Sequence, residues 1–303
     1  MTAIASRGFA VISAMLVAAS VAGIGTYLLW QGSLAVRQSE NITAAHQASS
    51  LARAAASAAA AALVQDDPRV DHRGEVWARG VPVIEVDGMR ADATISDEQG
   101  KFNVNNLADV NGVSEIDVAA FRRLLKQVGL PESLADAVVD WIDADDMVTA
   151  PAGAEDADYL ALEQGYRAAN RQIADISELL LVKGFNADRL NRVAPYLTAL
   201  PHGARVNVNT ASAELLAAVL PELSVGAAKT IVAGRDKEPF TSRIEFARRL
   251  PDGAAKAAID LLDVRSDYFV AHGTVHGGRI SAPYRALIGR EGPTVISVAK
   301  EFG

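Results

Sequence analysis

Eight acids crowd one stretch of this 303-residue sequence: Asp136, Asp140, Asp143, Asp145 and Asp146, then Glu155, Asp156 and Asp158 after a short break. Carboxylates at such density make a solvated face, supply a general acid and base, or hold a hard cation through oxygen. Between Lys126 and Arg167 there is no basic residue, and the forty intervening positions carry ten of the 37 acids. The net charge of −8 is therefore local, and the rest of the chain is nearly neutral. Asp136, Asp140 and Asp143 fall at i, i+4 and i+7 of a helix predicted over Leu134–Ile142, opposite the stripe Leu134, Ala137, Val138, Trp141 and Ile142. Asp145 and Asp146 lie at or beyond its C-terminus, where the helix dipole favours cations and like charges repel. A solvated acidic face is the bland alternative; it fits less well, because the excess sits in the last turn and the following loop with no Lys or Arg close in sequence. A divalent cation such as Ca²⁺, which takes six to eight oxygens at about 2.3–2.6 Å, would relieve the repulsion. The spacing is not that of an EF-hand loop. A carboxylate pair for glycoside hydrolysis lacks an aromatic sugar platform beyond Trp141, Tyr159 and Tyr166.

Other chemistries find little support. The chain has no cysteine, which excludes disulfides, thiolate metal sites and a Cys nucleophile. Its five histidines, His46, His72, His202, His272 and His276, are scattered, and no nucleophile elbow, P-loop or H-E-x-x-H is present. The reading is not an enzyme. A net negative charge argues against a nucleic-acid partner, which needs a basic face.

The elements that must position these acids begin with an apolar segment. Phe9 to Trp30 is a run of 22 residues without formal charge, about 33 Å as a helix against a bilayer core of ~30 Å. A cleaved signal ending near Ala22 and a plain signal-anchor are the simple readings. Gln31 to Val64 follows, Ala-rich with no Pro and a single Gly, so the helix is expected to continue unbroken for about 55 residues as an assembly stalk. Asp66-Asp67-Pro68 ends it. Alternating patterns at Val81–Val86 and Ala91–Ile95 predict strands joined at Asp87-Gly88. Helices then dominate: a capping box at Ser114 opens one with Phe121, Leu124, Leu125 and Val128 on its stripe. Ile173, Ile176, Leu179 and Leu180 suggest another, and a helical region runs from Val206 to about Leu262 with a second box at Ser242. Strand patterns return at Tyr268–Gly273, Ile280–Ile288 and Thr294–Val298. A faint echo links Phe102-Asn103-Val104-Asn105-Asn106 with Val206-Asn207-Val208-Asn209-Thr210; it reads as one local strand-to-helix solution used twice.

Arg7-Gly8 followed by Phe9 resembles the leader junction of type IV pilin-like proteins, in which a prepilin peptidase cuts after the Gly and the new N-terminal Phe is methylated. Those families usually carry Glu at the position of Ser13. Asp140-Trp141-Ile142-Asp143-Ala144-Asp145 with Gly153-Ala154-Glu155-Asp156-Ala157-Asp158-Tyr159 resembles the DWID-x-D…GAED-x-YY motif of K-type minor pseudopilins of the type II secretion system, a branch that lacks the Glu. Gly100–Leu107, Ser177–Phe185 and Val206–Ala211 match the family's GKFN-x-NNL, SEL-x-LVKGF and VNVNTA segments, in order. The resemblance spans residue 8 to about residue 220. It implies a tip subunit of the pseudopilus that helps to export folded proteins across the outer membrane. The implied surroundings are the inner membrane, crossed once with the head in the periplasm, I- and J-type minor pseudopilins, and prepilin peptidase. It also implies calcium held by Asp143, Asp145, Glu155 and Asp156, with Asp140 a weaker ligand, and processing between Gly8 and Phe9. Asp158 stands where the family often has the first of two Tyr.

The expected fold is α+β. A leader (1–8) and a long hydrophobic and assembly helix (9–65) precede a small α/β head (66–110 and 266–303), into which a large α-helical domain (111–265) is inserted. The competing reading is a membrane-anchored DNA-binding protein, because Val206–Phe240 resembles a helix-hairpin-helix module. That module grips phosphate through a Gly-rich hairpin; here the hairpin is Leu223-Ser224-Val225-Gly226, lacking the first Gly, with Lys229, Arg235 and Lys237 nearby.

Overall fold

In the computed structural model the described residues are 3–250, 256–278, 280–290 and 294–300. Helix α1 runs unbroken from Ala3 to Val64, 62 residues, through Gly8 and Phe9. Five antiparallel strands follow: β1 (Val81–Val86), β2 (Met89–Asp97), β3 (Tyr268–Gly277), β4 (Ile280–Gly289) and β5 (Thr294–Lys300). They pair in the order β1-β2-β3-β4-β5. The β1–β2 turn is Asp87-Gly88, both with positive φ (51° and 75°), the twist-compatible hairpin that Asp-Gly favours. Strand β2 alternates buried and exposed along most of its length, the signature of a sheet with one covered face.

The cover is the last part of α1. Ala48, Leu51, Ala52, Ala55, Ala56, Ala59, Ala60 and Leu63 are all buried, at the i, i+3/i+4 spacing of one helical face. They meet Met89, Ala91, Ala93 and Ile95 of β2 and Phe269, Ala271, Val275, Tyr284, Ala286 and Ile288 of β3 and β4. Alanines along the stripe let helix and sheet approach closely, and Trp77 closes the end edge-to-face on Phe269 at 5.1 Å. The head expected over 66–110 and 266–303 therefore includes about four turns of α1. A soluble piece starting at residue 66 would lose that half of its core.

The insert leaves after β2 and returns into β3, its sheet neighbour, with Asp97 opposite Phe269. Exit and entry lie side by side, so a separate unit hangs from the sheet without disturbing its register. Its helices are α2 (Glu115–Gln127), α3 (Leu134–Ile142), α4 (Asp156–Leu160), α5 (Ala187–Val193), α6 (Ala213–Val219), α7 (Val225–Arg235) and α8 (Arg243–Arg248). Ser114 caps α2 as expected, accepting from Asp117 N, and Ser242 caps α8. The predicted helix on Ile173–Leu180 is a short 3-10 turn, Ile176–Leu181. The helical stretch expected to reach Leu262 crosses 251–255, outside the described residues, and meets a 3-10 turn at Lys256–Leu261. The boundary expected at residue 111 moves upstream, because Phe102, Val104, Leu107 and Ala108 are buried in the same core as Val118, Leu124 and Val138.

The joint between sheet and insert is polar and buried. Gln99 donates to Arg205 O at 2.7 Å and accepts from Asp267 N at 2.6 Å. Asp97 accepts from Asn207, Thr210 and Ser266 side chains, and Asp71 accepts from Ser266 N at 2.7 Å. Ala56 is fully buried between α1 and the sheet, so Ala56→Phe is expected to destabilise the head by about 1–3 kcal/mol through overpacking, read as a lower urea midpoint at unchanged slope.

Candidate metal centre

Helix α3 is buried on every side: all nine of its residues are, Asp136 and Asp140 included. The acidic face opposite the apolar stripe is covered by the loop that follows, so the solvated-face alternative does not hold. Arg122 of α2 pairs with Asp136 at 2.6 Å, and Ala152 N donates to the other oxygen of Asp136 at 3.3 Å. Thr149 N donates to both oxygens of Asp140 at 3.1 Å. Gly153 is required by contact: a Cβ there would stand 2.1 Å from Asp140 Oδ2 and 2.5 Å from Thr149 O. Asp136 and Asp140 thus tie the loop down. Trp141, Tyr159 and Tyr166 pack as an aromatic trio, with Trp141 edge-on to Tyr159 at 5.2 Å and Tyr159 stacked on Tyr166 at 5.4 Å. The Tyr159 hydroxyl accepts from Lys183 N. With Trp141 and Tyr159 buried, no sugar platform is offered.

The wrapped loop brings three acids together. Asp143 ends α3, Asp145 lies just beyond, and Glu155 precedes α4 without capping it by its side chain. One oxygen from each lies within 4.8 Å of the others. Opposite ligands of a calcium ion stand roughly 4.6–5.2 Å apart, so the spacing suits that ion. Asp143 and Glu155 are buried, and Asp143 Oδ1 and Glu155 Oε1 have no hydrogen-bond partner. A buried carboxylate oxygen left unpaired is costly. Burial first, then the neighbouring acids, pushes both carboxyls up to about 7. Oxygen donors, orphaned lone pairs and mutual repulsion fit a hard divalent cation.

Two of the expected ligands do not join this cluster. Asp140 is committed to Thr149 N, and Asp156 accepts from Ala168 N at 3.0 Å and pairs with Arg167 at 3.1 Å. Asp158 pairs with Lys183 at 2.8 Å. A second acidic group, Asp66, Asp71 and Glu75, is equally close-set, but it has its own cation: Arg290 lies 2.8 Å from Asp71 Oδ1 and 3.1 Å from Asp66 Oδ2. Sequence reading missed it, because Arg290 and Ser266 stand about 200 positions away. In the hairpin considered for phosphate binding, Leu223 is buried, Glu222 (φ 69°) occupies the apex, and Arg235 is turned inward onto Val208 O and Ala211 O. That is not a surface for a run of phosphates.

A long apolar helix that continues into the core of a small antiparallel sheet, with an acidic helical unit inserted between two sheet neighbours, defines a pilin-like subunit with an elaborated head. Two family models match, both described as type II secretion system protein K, over residues 100–202 and 206–265. The type II secretion system protein K of Pseudomonas aeruginosa is 38% identical over 87% of this chain and 82% of its own. That of Aeromonas hydrophila is 32% identical over 87% of each. A chain of the solved GspK-GspI-GspJ complex from the type 2 secretion system of enterotoxigenic Escherichia coli superposes with a TM-score of 0.75 at 24% identity, covering 88% of this chain and 98% of that one. The chain belongs to the type II secretion system protein K family and is a minor pseudopilin, a structural component of secretion.

The raised carboxyls give the metal-free protein a pH dependence. In the unfolded chain Asp143 and Glu155 release protons near 3.8 and 4.5, and in the folded chain near 7. Folding then binds protons between those values, so stability falls as pH rises from about 4 to 7. Thermal melts in EDTA are expected to give a lower midpoint at pH 8 than at pH 5.5, and Asp143→Asn with Glu155→Gln to reduce that difference, the remainder belonging to other raised carboxyls such as Asp71.

Proposed function

We propose that this minor pseudopilin caps the pseudopilus tip, with α1 rising from the inner membrane and the head in the periplasm. The reading rests on Ser13. Its hydroxyl donates to Phe9 O at 2.9 Å, so it is satisfied within its own helix and offers no carboxylate to the N-terminal amine of a neighbouring subunit. A subunit with nothing stacked above it needs none. The exposed apolar side chains of α1, from Phe9 through Ile12, Leu16, Val21 and Leu28 to Trp30, suit a membrane-spanning stretch. Prepilin peptidase would act between Gly8 and Phe9, leaving a methylated Phe9 amine. The likeness to a chain of the Escherichia coli GspK-GspI-GspJ complex supports I- and J-type minor pseudopilins as its neighbours. The exposed stretch 31–42 of α1 is available to their helices. The role is architectural, and no catalysis is assigned.

The acid cluster is read as a calcium site held by Asp143, Asp145 and Glu155. The ion supplies the positive charge that the loop lacks. Asp143 and Glu155 join the end of α3 to the start of α4, and Asp140 and Asp136 keep the intervening loop closed over the helix.

Because the chain has no cysteine, a single Ser39→Cys on exposed α1 reports its neighbours cleanly. Crosslinking in membranes is expected to yield pairs with cysteine-bearing I- or J-type subunits, the crosslinked chain beginning at Phe9 by mass. Pairs of this chain with itself would place it along the filament and overturn the tip reading. For the metal, calcium added to EDTA-treated full-length chain in detergent is expected to raise the melting temperature, by about 2.7 kcal/mol of stability at a hundredfold excess over Kd. Asp143→Asn with Glu155→Gln should remove the gain; an unchanged wild-type melt would dismiss the ion.

A further inference from the structure

A second charge imbalance, of opposite sign, lies at the end of α7. The turn Val208–Ala211 collects two guanidinium groups: Arg235 donates to Val208 O and Ala211 O, and Arg73 donates to Thr210 O at 2.7 Å. Arg235 is 2% exposed, and its Nε has no hydrogen-bond partner. Burial, and then the charge of Arg73, pushes its pKa down to about 10, as expected of a cation that lacks a counter-charge. The acid at hand is Asp236, whose Oδ1 is 3.9 Å from Nε, beyond hydrogen-bonding reach, and whose side chain is 59% exposed. Glu75 is engaged elsewhere: its Oε2 accepts from His72 N and Trp77 Nε1. Lys237 is exposed and makes no ion pair among the described residues. These groups surround a cavity of about 420 Å³ lined by His72, Arg73, Asn209, Arg235, Asp236 and Lys237.

The buried Arg235, an exposed Arg73 held by Thr210 O and the exposed Lys237 therefore line one space against a single solvated acid. We propose that this cavity is an oxyanion site, which takes either free phosphate or the carboxylate of an acidic side chain from a neighbouring subunit. Both ligands present what the cavity lacks, a compact negative charge with several acceptor oxygens. Guanidinium groups match such oxygens in charge and geometry. The site is independent of the acid cluster: its residues come from the segment after α1, the Val208–Ala211 turn and the end of α7 with the residues just beyond it, not from α3 and its loop.

The full-length chain in detergent is titrated by calorimetry with sodium phosphate at constant ionic strength, balanced with sodium chloride so that screening does not change. A parallel arm uses a short glutamate-rich peptide. Saturable binding in either arm is expected, weakened about tenfold by Lys237→Gln and about tenfold by Arg73→Gln, the loss of one charge-assisted contact each. Lys126→Gln, whose side chain pairs with Glu132 elsewhere, should bind as the parent does. Binding of phosphate without peptide identifies a free ion as the ligand; peptide binding that phosphate displaces only weakly identifies a subunit carboxylate. Lys237 is exposed, so its variant tests the site even if Arg73→Gln fails to fold. The absence of saturable binding in both arms, or unchanged affinity in Lys237→Gln, overturns the proposal.

Discussion

A buried charge must find an opposite charge within the fold or take one from outside, and this requirement organises the head. Desolvation of an unpaired ion costs several kcal/mol even after relaxation. Where the chain supplies both signs, the structure closes: Asp71 with Arg290, Glu98 with Lys101 and Arg285, Asp136 with Arg122. The first two of these tie the segment after α1 and the exit from β2 to strand β4 and the residue that follows it. Asp143 and Glu155 are buried with no cation of their own, and Arg235 is buried with no anion in hydrogen-bonding reach. The two acidic triads show the contrast most directly, since one already contains an arginine and the other does not. Similar carboxylate geometry thus has two outcomes, a joint closed by its own arginine and a buried cluster with no cation of its own.

The insert hangs from the sheet through short polar segments that use one device twice. Asn103 accepts from Asn105 N, and Asn207 accepts from Asn209 N. Asn105 then exchanges hydrogen bonds with Ile173 N and O, as Asn209 does with Phe240 N and O. The side-chain amide imitates a peptide unit and pins a distant strand-like segment without a full ladder. The two family matches break between these segments, at 202 and 206, so each opens one half of the insert. The wiring is rigid because every partner is buried and satisfied.

Helix α1 does two jobs along one axis. Its first part is apolar and exposed, and its last turns carry a stripe of alanines and leucines buried against the sheet. No hinge residue separates them: Gly23, Gly25 and Gly32 all lie in the exposed part and meet nothing within 4 Å. A displacement of the exposed apolar part is therefore delivered to the head by an unbroken helix, and the close fit of small residues sets how firmly it is held.

Local pattern was enough for much of this architecture. The uninterrupted helix, the hairpin at Asp87-Gly88, the caps at Ser114 and Ser242, and the strands on both sides of a helical block all follow from interactions between residues a few positions apart, which the order of residues states directly. An excess of acids on both sides of a loop of about ten residues was also legible, and the family resemblance supplied Asp143, Asp145 and Glu155 among its implied ligands. What the linear order could not disclose was which acids are spent. Asp140 and Asp156 look like their neighbours in sequence, yet one is held by Thr149 N and the other by Ala168 N and Arg167. Nor could it disclose that Arg290 reaches Asp71, or that the loop covers the polar face of α3. Those outcomes depend on contacts across long stretches of chain, and only the closing of the tertiary structure decides whether a given carboxylate meets water, a backbone N–H, an arginine or nothing at all.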